Sequence, residues 1–133
     1  MVKVFVKRGK RKEAIARATV KPGSTRYVIN GVPVSSITSP FLRDVYNEPL
    51  SFFDDSDKYD ISVSVNGGGA SGQAQAARTA VARALLAVHG SPDSVKQQML
   101  SFDRSLLVED SRRVEPKKFK GPKARARFTK SYR

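Results

Sequence analysis

The stretch Tyr59–Ala76, YDISVSVNGGGASGQAQA, decides which kind of fold this chain is built on. Its first half alternates, with Tyr59, Ile61, Val63 and Val65 on one side and Asp60, Ser62, Ser64 and Asn66 on the other. Side chains leave a strand on alternate faces, so 59–66 is a half-buried strand. Glycines follow, and an alanine-rich run then predicts a helix over 71–89, stopped by Gly90. Between strand and helix stands Gly67-x-Gly69-x-x-Gly72, the spacing of a dinucleotide-binding turn.

The surroundings argue against a nucleotide cofactor. A doubly wound sheet puts that turn after its first strand, with an acid at the end of the next parallel strand. Here the glycines come late, after two strands that read as a hairpin, and Asp93 sits at a helix start. A phosphate-binding lysine is missing too, because Gln73 stands where a Walker loop would carry Lys. Two readings remain open. The glycines make a tight strand-to-helix turn, or their bare N–H groups at a helix start face another phosphate, such as that of an RNA backbone. Arg78, about two turns into the helix, stands where it could support such a contact.

Upstream, Glu13–Val20 alternates Ala14, Ala16, Ala18 and Val20 against Ile15, Arg17 and Thr19, a second strand turned by Pro22-Gly23. Arg26–Asn30 is a third, and Asn30-Gly31 turns it into a short Val32–Val34. Ser39-Pro40 opens a short helix with Leu42, Val45 and Tyr46 on one face, ended by Pro49. In the 71–89 helix, Ala77, Val81, Ala84, Leu85 and Val88 form the core stripe, with Arg78 and Arg83 off its centre. Ser91-Pro92-Asp93 starts a third helix carrying Val95, Met99 and Phe102, and Leu106–Val108 is a candidate last strand.

Charge divides the 133 residues sharply. The formal net charge is +13 and the pI about 10.4. Residues 1–12 carry six Lys/Arg and no acid, and residues 111–133 carry ten Lys/Arg and one acid, Glu115. The stretch between is almost balanced, at −2. Basic ends on a near-neutral middle suggest a polyanionic partner, whereas a solubilising surface mixes both signs. Beyond Asp110 no apolar period continues, and cations interleave with Phe119, Phe128 and Tyr132. Cations neutralise phosphates and aromatics stack on bases. This tail is expected to be extended and disordered until bound, and its 23 residues could span roughly 75 Å.

Other chemistry is not indicated. Without cysteine there is no disulfide and no thiolate metal site. No apolar run of about 18 residues is present, and the basic start lacks a signal-like core, so a cytoplasmic protein without membrane association is expected. Asp54-Asp-Ser-Asp57 with Asp60 lacks the glycine and distal glutamate of a calcium loop and reads as a solvated turn. His89 is the only histidine, at a helix end. No catalytic constellation, metal site, cofactor site or small-molecule substrate site is read, and the chain is not expected to be an enzyme.

Four segments together resemble the ribosomal protein S9 (uS9) family of the small subunit, in its archaeal/eukaryotic form. They are Gly9–Ala18, Val65–Gly69 with Gly72-Gln73-Ala74, Ala77–Leu85, and Glu115–Lys118 through Lys130–Arg133. The likeness spans nearly the whole chain. The resemblance implies an α+β fold, a two-layer α/β sandwich of the ribosomal protein S5 domain 2-like type, including a left-handed crossover. It implies a globular RNA-binding domain over 1–110 with a basic N-terminal segment 1–12, and an extended basic tail over 111–133. Implied partners are small-subunit rRNA in the head, P-site tRNA and neighbouring head proteins. Carried onto this sequence, tRNA contact falls to Arg133 with Tyr132, Ser131 and Lys130 behind it. Binding of rRNA falls to Lys7, Arg8, Lys10, Arg11, Lys12 and Arg17 near the start. It falls also to Gly67, Gly68, Gly69, Gly72, Gln73 and Arg78 around the turn. In the tail it falls to Arg112, Arg113, Lys117, Lys118, Lys120, Lys123, Arg125 and Arg127.

Overall fold

Five strands join in one sheet in the computed structural model, which describes residues 3–23, 26–53 and 58–129. Strand β1 (Phe5–Arg11) pairs antiparallel with β2 (Ala14–Pro22), and β2 antiparallel with β5 (Tyr59–Asn66). The short β3 (Arg26–Ile29) runs parallel to β5, and β4 (Val32–Pro33) turns back antiparallel on β3. The order is β1-β2-β5-β3-β4. Asn30 and Gly31, with φ of 51° and 83°, supply the two left-handed residues of a tight hairpin turn. Asn30 also ties that hairpin to β5, accepting from the Val65 amide at 2.9 Å and donating to the Val65 carbonyl at 3.1 Å.

Helices α1 (Pro40–Asn47), α2 (Ala70–Val88) and α3 (Asp93–Phe102) complete an α+β fold of two layers. The sheet's inner face carries Ala14, Ala16, Ala18 and Val20 from β2 and Ile61, Val63 and Val65 from β5, all buried. Alternation therefore set both strands in the expected register. Helix α2 lies across this face with Ala76, Ala77, Ala80, Val81 and Ala84 fully buried. Alanine against alanine lets the helix axis come close to the sheet, and β1 shows how close. A Cβ on Gly9 would lie 2.2 Å from the Ala76 carbonyl oxygen and 2.6 Å from the Ala80 amide nitrogen. Only glycine fits there without backbone movement. Burial runs round α2 well beyond the expected stripe, taking in Ala74, Arg78, Thr79, Ala82 and Leu86, because α1 and the turns at Glu48–Phe52 and Arg104–Leu106 cover its other sides.

Residues 5–11, within the basic N-terminal segment, form an edge strand that no period in the sequence marks. Their period-2 signal is hidden, because the helix-side position Gly9 must be empty and its neighbours on that side, Lys7 and Arg11, are cations. Leu106–Val108 is no strand. Asp103 caps the Ser105 amide at 2.9 Å and steers the chain into a 3-10 turn over Arg104–Leu106, with Leu106 buried. Among the described residues, the ladder-like contact of that region is a single bridge from Arg11 to Asp110.

Candidate nucleic-acid interface

All three helices lie on one side of the sheet, so among the described residues its other face is open. Register fixes its composition: Val6, Arg8 and Lys10 from β1, Ile15, Arg17, Thr19 and Lys21 from β2, and Ser62, Ser64 and Asn66 from β5. Asp60 lies opposite both Lys21 and Arg26 and is the one acid among these strand positions. Elsewhere on the face, cations meet cations. Arg8 stands directly across from Arg17. Like charges in that position oppose folding. Among the described residues Arg17 has no ion pair, and Arg8 reaches Glu109 only at 4.0 Å. This pair, of which only Arg8 has an acid in reach, with Lys10 beside it and serine hydroxyls next to Arg17, suits an anionic polymer lying across the sheet.

The glycine turn closes one end of that face. Gly67 and Gly68 have φ of 78° and 66°. A Cβ on Gly67 would lie 2.4 Å from the Glu13 carbonyl, and one on Gly68 3.1 Å from Ala14. These two glycines are required by the turn itself. Gly69 and Gly72 are different. Gly69 caps α2 with ordinary extended angles and nothing within 4 Å of a Cβ, while a Cβ on Gly72 would make only ordinary contacts at 3.8 Å. Gln73 folds back to donate to the Gly67 carbonyl at 3.1 Å. With glycine at its N-cap, the N–H end of α2 has no side-chain cap. An uncapped helix start of this length presents donors and a positive dipole end to whatever approaches.

Three arginines assigned or noted from sequence have partners inside the protein. The buried Arg78 pairs with Glu48 at 2.7 Å and Asp103 at 3.1 Å and also donates to the Ser105 hydroxyl. Burial opposes ionisation of Asp103, but the Ser105 hydroxyl and amide together with Arg78 outweigh it and hold the carboxyl below its ordinary range. Arg83 donates to the Leu107 carbonyl at 2.9 Å, the Arg8 carbonyl at 2.8 Å and Glu109 at 3.2 Å. Arg11 donates to Gln75 at 2.8 Å and lies 3.1 Å from Asp110. Arg83 and Arg11 thus hold the Leu107–Asp110 segment along the edge strand β1. The basic residues after Asp110 start beside the basic residues of β1, so both charge-rich segments share one edge of the molecule.

At that exit, Asp110 accepts from the Arg112 side chain at 2.8 and 2.6 Å and from the Arg112 amide at 2.9 Å. Those hydrogen bonds, with Arg11 nearby, hold its carboxyl far below the ordinary range. Residues 111–129 carry no helix or strand and are mostly exposed, with Phe119 and Phe128 in water. They are not fully stretched. Glu115 pairs with Lys118 at 2.8 Å and Arg125 at 2.9 Å, and the Phe128 amide donates to the Lys120 carbonyl at 3.3 Å, which doubles the segment back. Arg113, Lys117, Lys123 and Arg127 lie exposed along it. Lys7 and Lys12 are exposed at the β1 end of the molecule. Lys130, Ser131, Tyr132 and Arg133 lie outside the described residues.

Thr19, Lys21, Ser62, Ser64 and Asn66 belong to the open face but were not singled out from sequence. The alternation of β5 already displayed its outward set; the missing information was that β1 lies beside β2 and builds a continuous surface with it.

The chain matches the family described as ribosomal protein S9/S16 over residues 9–133. The small ribosomal subunit protein uS9 of Picrophilus torridus is 45% identical to it over 130 residues, which is 97% of each chain. The uS9 of Methanothrix thermoacetophila is 45% identical over 133 residues, covering 99% of this chain and all of the relative. The uS9 of Debaryomyces hansenii is 44% identical, covering 94% of each.

Proposed function

This chain belongs to the ribosomal protein S9/S16 family, as a structural constituent of the small ribosomal subunit and not an enzyme, and from that premise we propose how it binds. The globular domain, residues 1–110, docks on rRNA of the subunit head through the open sheet face and the α2 start. The basic tail, 111–133, lies along further rRNA, and its last residues, Lys130–Arg133, touch the P-site tRNA. Its setting is the cytoplasmic ribosome, among neighbouring head proteins. The observation that carries the rRNA reading is Arg8 opposite Arg17, with no acid on Arg17 among the described residues: a polyanion can supply the countercharge.

The tail supports the second half by its composition. Cations spaced every two or three residues follow a curved phosphate backbone, and the interleaved aromatics can stack on splayed bases. A terminal arginine grips one phosphate through two hydrogen bonds and lets go again, as a transiently held tRNA requires.

Cosedimentation with small subunits in high salt tests the docking. The wild-type chain is expected to stay with the particle, and Arg17→Glu to wash off at lower salt. A chain that washes off like any loosely bound basic protein would overturn it. Subunits carrying the chain without Lys130–Arg133 are expected to assemble normally and to retain P-site tRNA less well. Unchanged tRNA retention would remove the role given to the chain end.

A further inference from the structure

A cleft of about 510 Å³ opens where the end of β1, helix α1, the middle of α2 and the Asp103–Arg112 segment converge. Three features of its wall belong together. The first is Phe41 on α1, which leaves 69% of its surface in water while Val45, one turn on, packs against the core. The second is a pair of buried guanidinium donors without a hydrogen-bond acceptor among the described residues: Nε of Arg78 and Nη1 of Arg11, the latter 3.1 Å from Asp110 but out of hydrogen-bond geometry. Native proteins rarely leave such donors unmatched. The third is the mixture of signs. Lys10 and Arg112 bring further cations to the wall, while Gln75, Glu48 and Asp103 place acceptors between them.

We propose that this cleft holds one unstacked nucleotide of a single-stranded RNA segment. The base stacks on Phe41. The exocyclic amino hydrogens of a base such as adenine meet acceptors of the Glu48, Asp103 and Gln75 set, as carboxylates read exocyclic amines. The phosphate meets Lys10 and Arg112, and the unmatched Arg78 and Arg11 donors turn to ring or phosphate oxygens. A duplex offers no free base face to Phe41, so paired RNA fits poorly. An acidic peptide fits less well, because Glu48, Asp103 and Asp110 would face its carboxylates. The proposal rests on the RNA-binding reading above and adds a place and a ligand form to it.

The test uses the full chain and two probes, a single-stranded oligoadenylate hexamer and an RNA duplex of equal phosphate count. Phe41→Ala is expected to lower hexamer affinity by about 5- to 100-fold, the effect of losing one base stack, and to leave duplex affinity unchanged. Phe41→Trp should restore the hexamer. In NMR titrations the hexamer should move the Phe41 ring protons and the Arg78 Nε–H together. Equal hexamer affinity in Phe41→Ala would overturn the nucleotide site while leaving RNA binding elsewhere intact, as continued duplex binding would show. Displacement of those signals by oligoglutamate but not by the hexamer would overturn it in favour of a protein partner. Failure of both RNA probes to bind would sink the site and the RNA reading together.

Discussion

Replacing Gly69 by aspartate separates the folding role of the glycine turn from its binding role. Gly69 is the N-cap of α2, with φ −96° and ψ 176°, and a Cβ there meets nothing within 4 Å. Aspartate adopts those angles freely and is a better cap than glycine by a few tenths of a kcal/mol. Its charge also faces the positive end of a 19-residue helix, which adds about 0.3–1 kcal/mol. Stability should therefore rise by roughly 0.5–1 kcal/mol in denaturant titration. Affinity should move the other way. A new carboxylate about 4–6 Å from a bound phosphate costs about 1–3 kcal/mol at effective dielectrics between water and a protein surface. Binding to a head-domain rRNA transcript, measured by filter retention, should weaken by roughly 5- to 100-fold. The loss should shrink as salt is raised. The same change at Gly68 would not separate the two effects, because φ there is 66° and Ala14 lies 3.1 Å from the new Cβ. A Gly69→Asp chain that is more stable and binds rRNA like wild type would show that the turn contacts no phosphate.

Other perturbations probe the frame. Gly9→Val drives a side chain into the α2 backbone and should destabilise by at least ~1–3 kcal/mol, read as a lowered denaturant midpoint. Arg78→Met should cost about 1–3 kcal/mol, below the ~3–5 of a fully buried pair because Glu48 and Asp103 are partly exposed. Equal stability would mean that the Arg78 network holds nothing in place. Asp103 and Asp110 have carboxyls held below their ordinary range. Their contribution is therefore present above about pH 4 and lost as pH falls through the depressed folded values. As pH is lowered from about 4 towards the depressed folded value of Asp110, the Arg112 amide signal should lose its protection before α2 does. Simultaneous loss would show that Asp110 does not hold the tail root separately.

What sequence revealed followed the strength of local signals. The alternations in β2 and β5 are long, and their apolar sides face a helix, so strand identity and face were both legible. Asn30-Gly31 and Gly90 could be read from the backbone angles they permit. Strand β1 was hidden because tight packing left Gly9 where a core side chain would have advertised it. The open basic face was invisible for the same reason, since Arg8 and Arg17 become neighbours only when β1 pairs with β2. Arg78 could be placed on α2 but not assigned its partners. Glu48, Asp103 and Ser105 lie 25 to 30 residues from it, and no periodicity links them.

The central claim is that cations on the open face and in the tail neutralise RNA phosphates, and the salt dependence of rRNA binding tests it most directly. The affinity of the full chain should fall with salt more steeply than that of a chain ending at Asp110. The log–log slopes should differ by about 6 to 7 if some eight phosphates are engaged by the tail. Within the shorter chain, Arg17→Ala should reduce the slope by about one more. Parallel slopes for full and shortened chains, with no change in Arg17→Ala, would contradict the account.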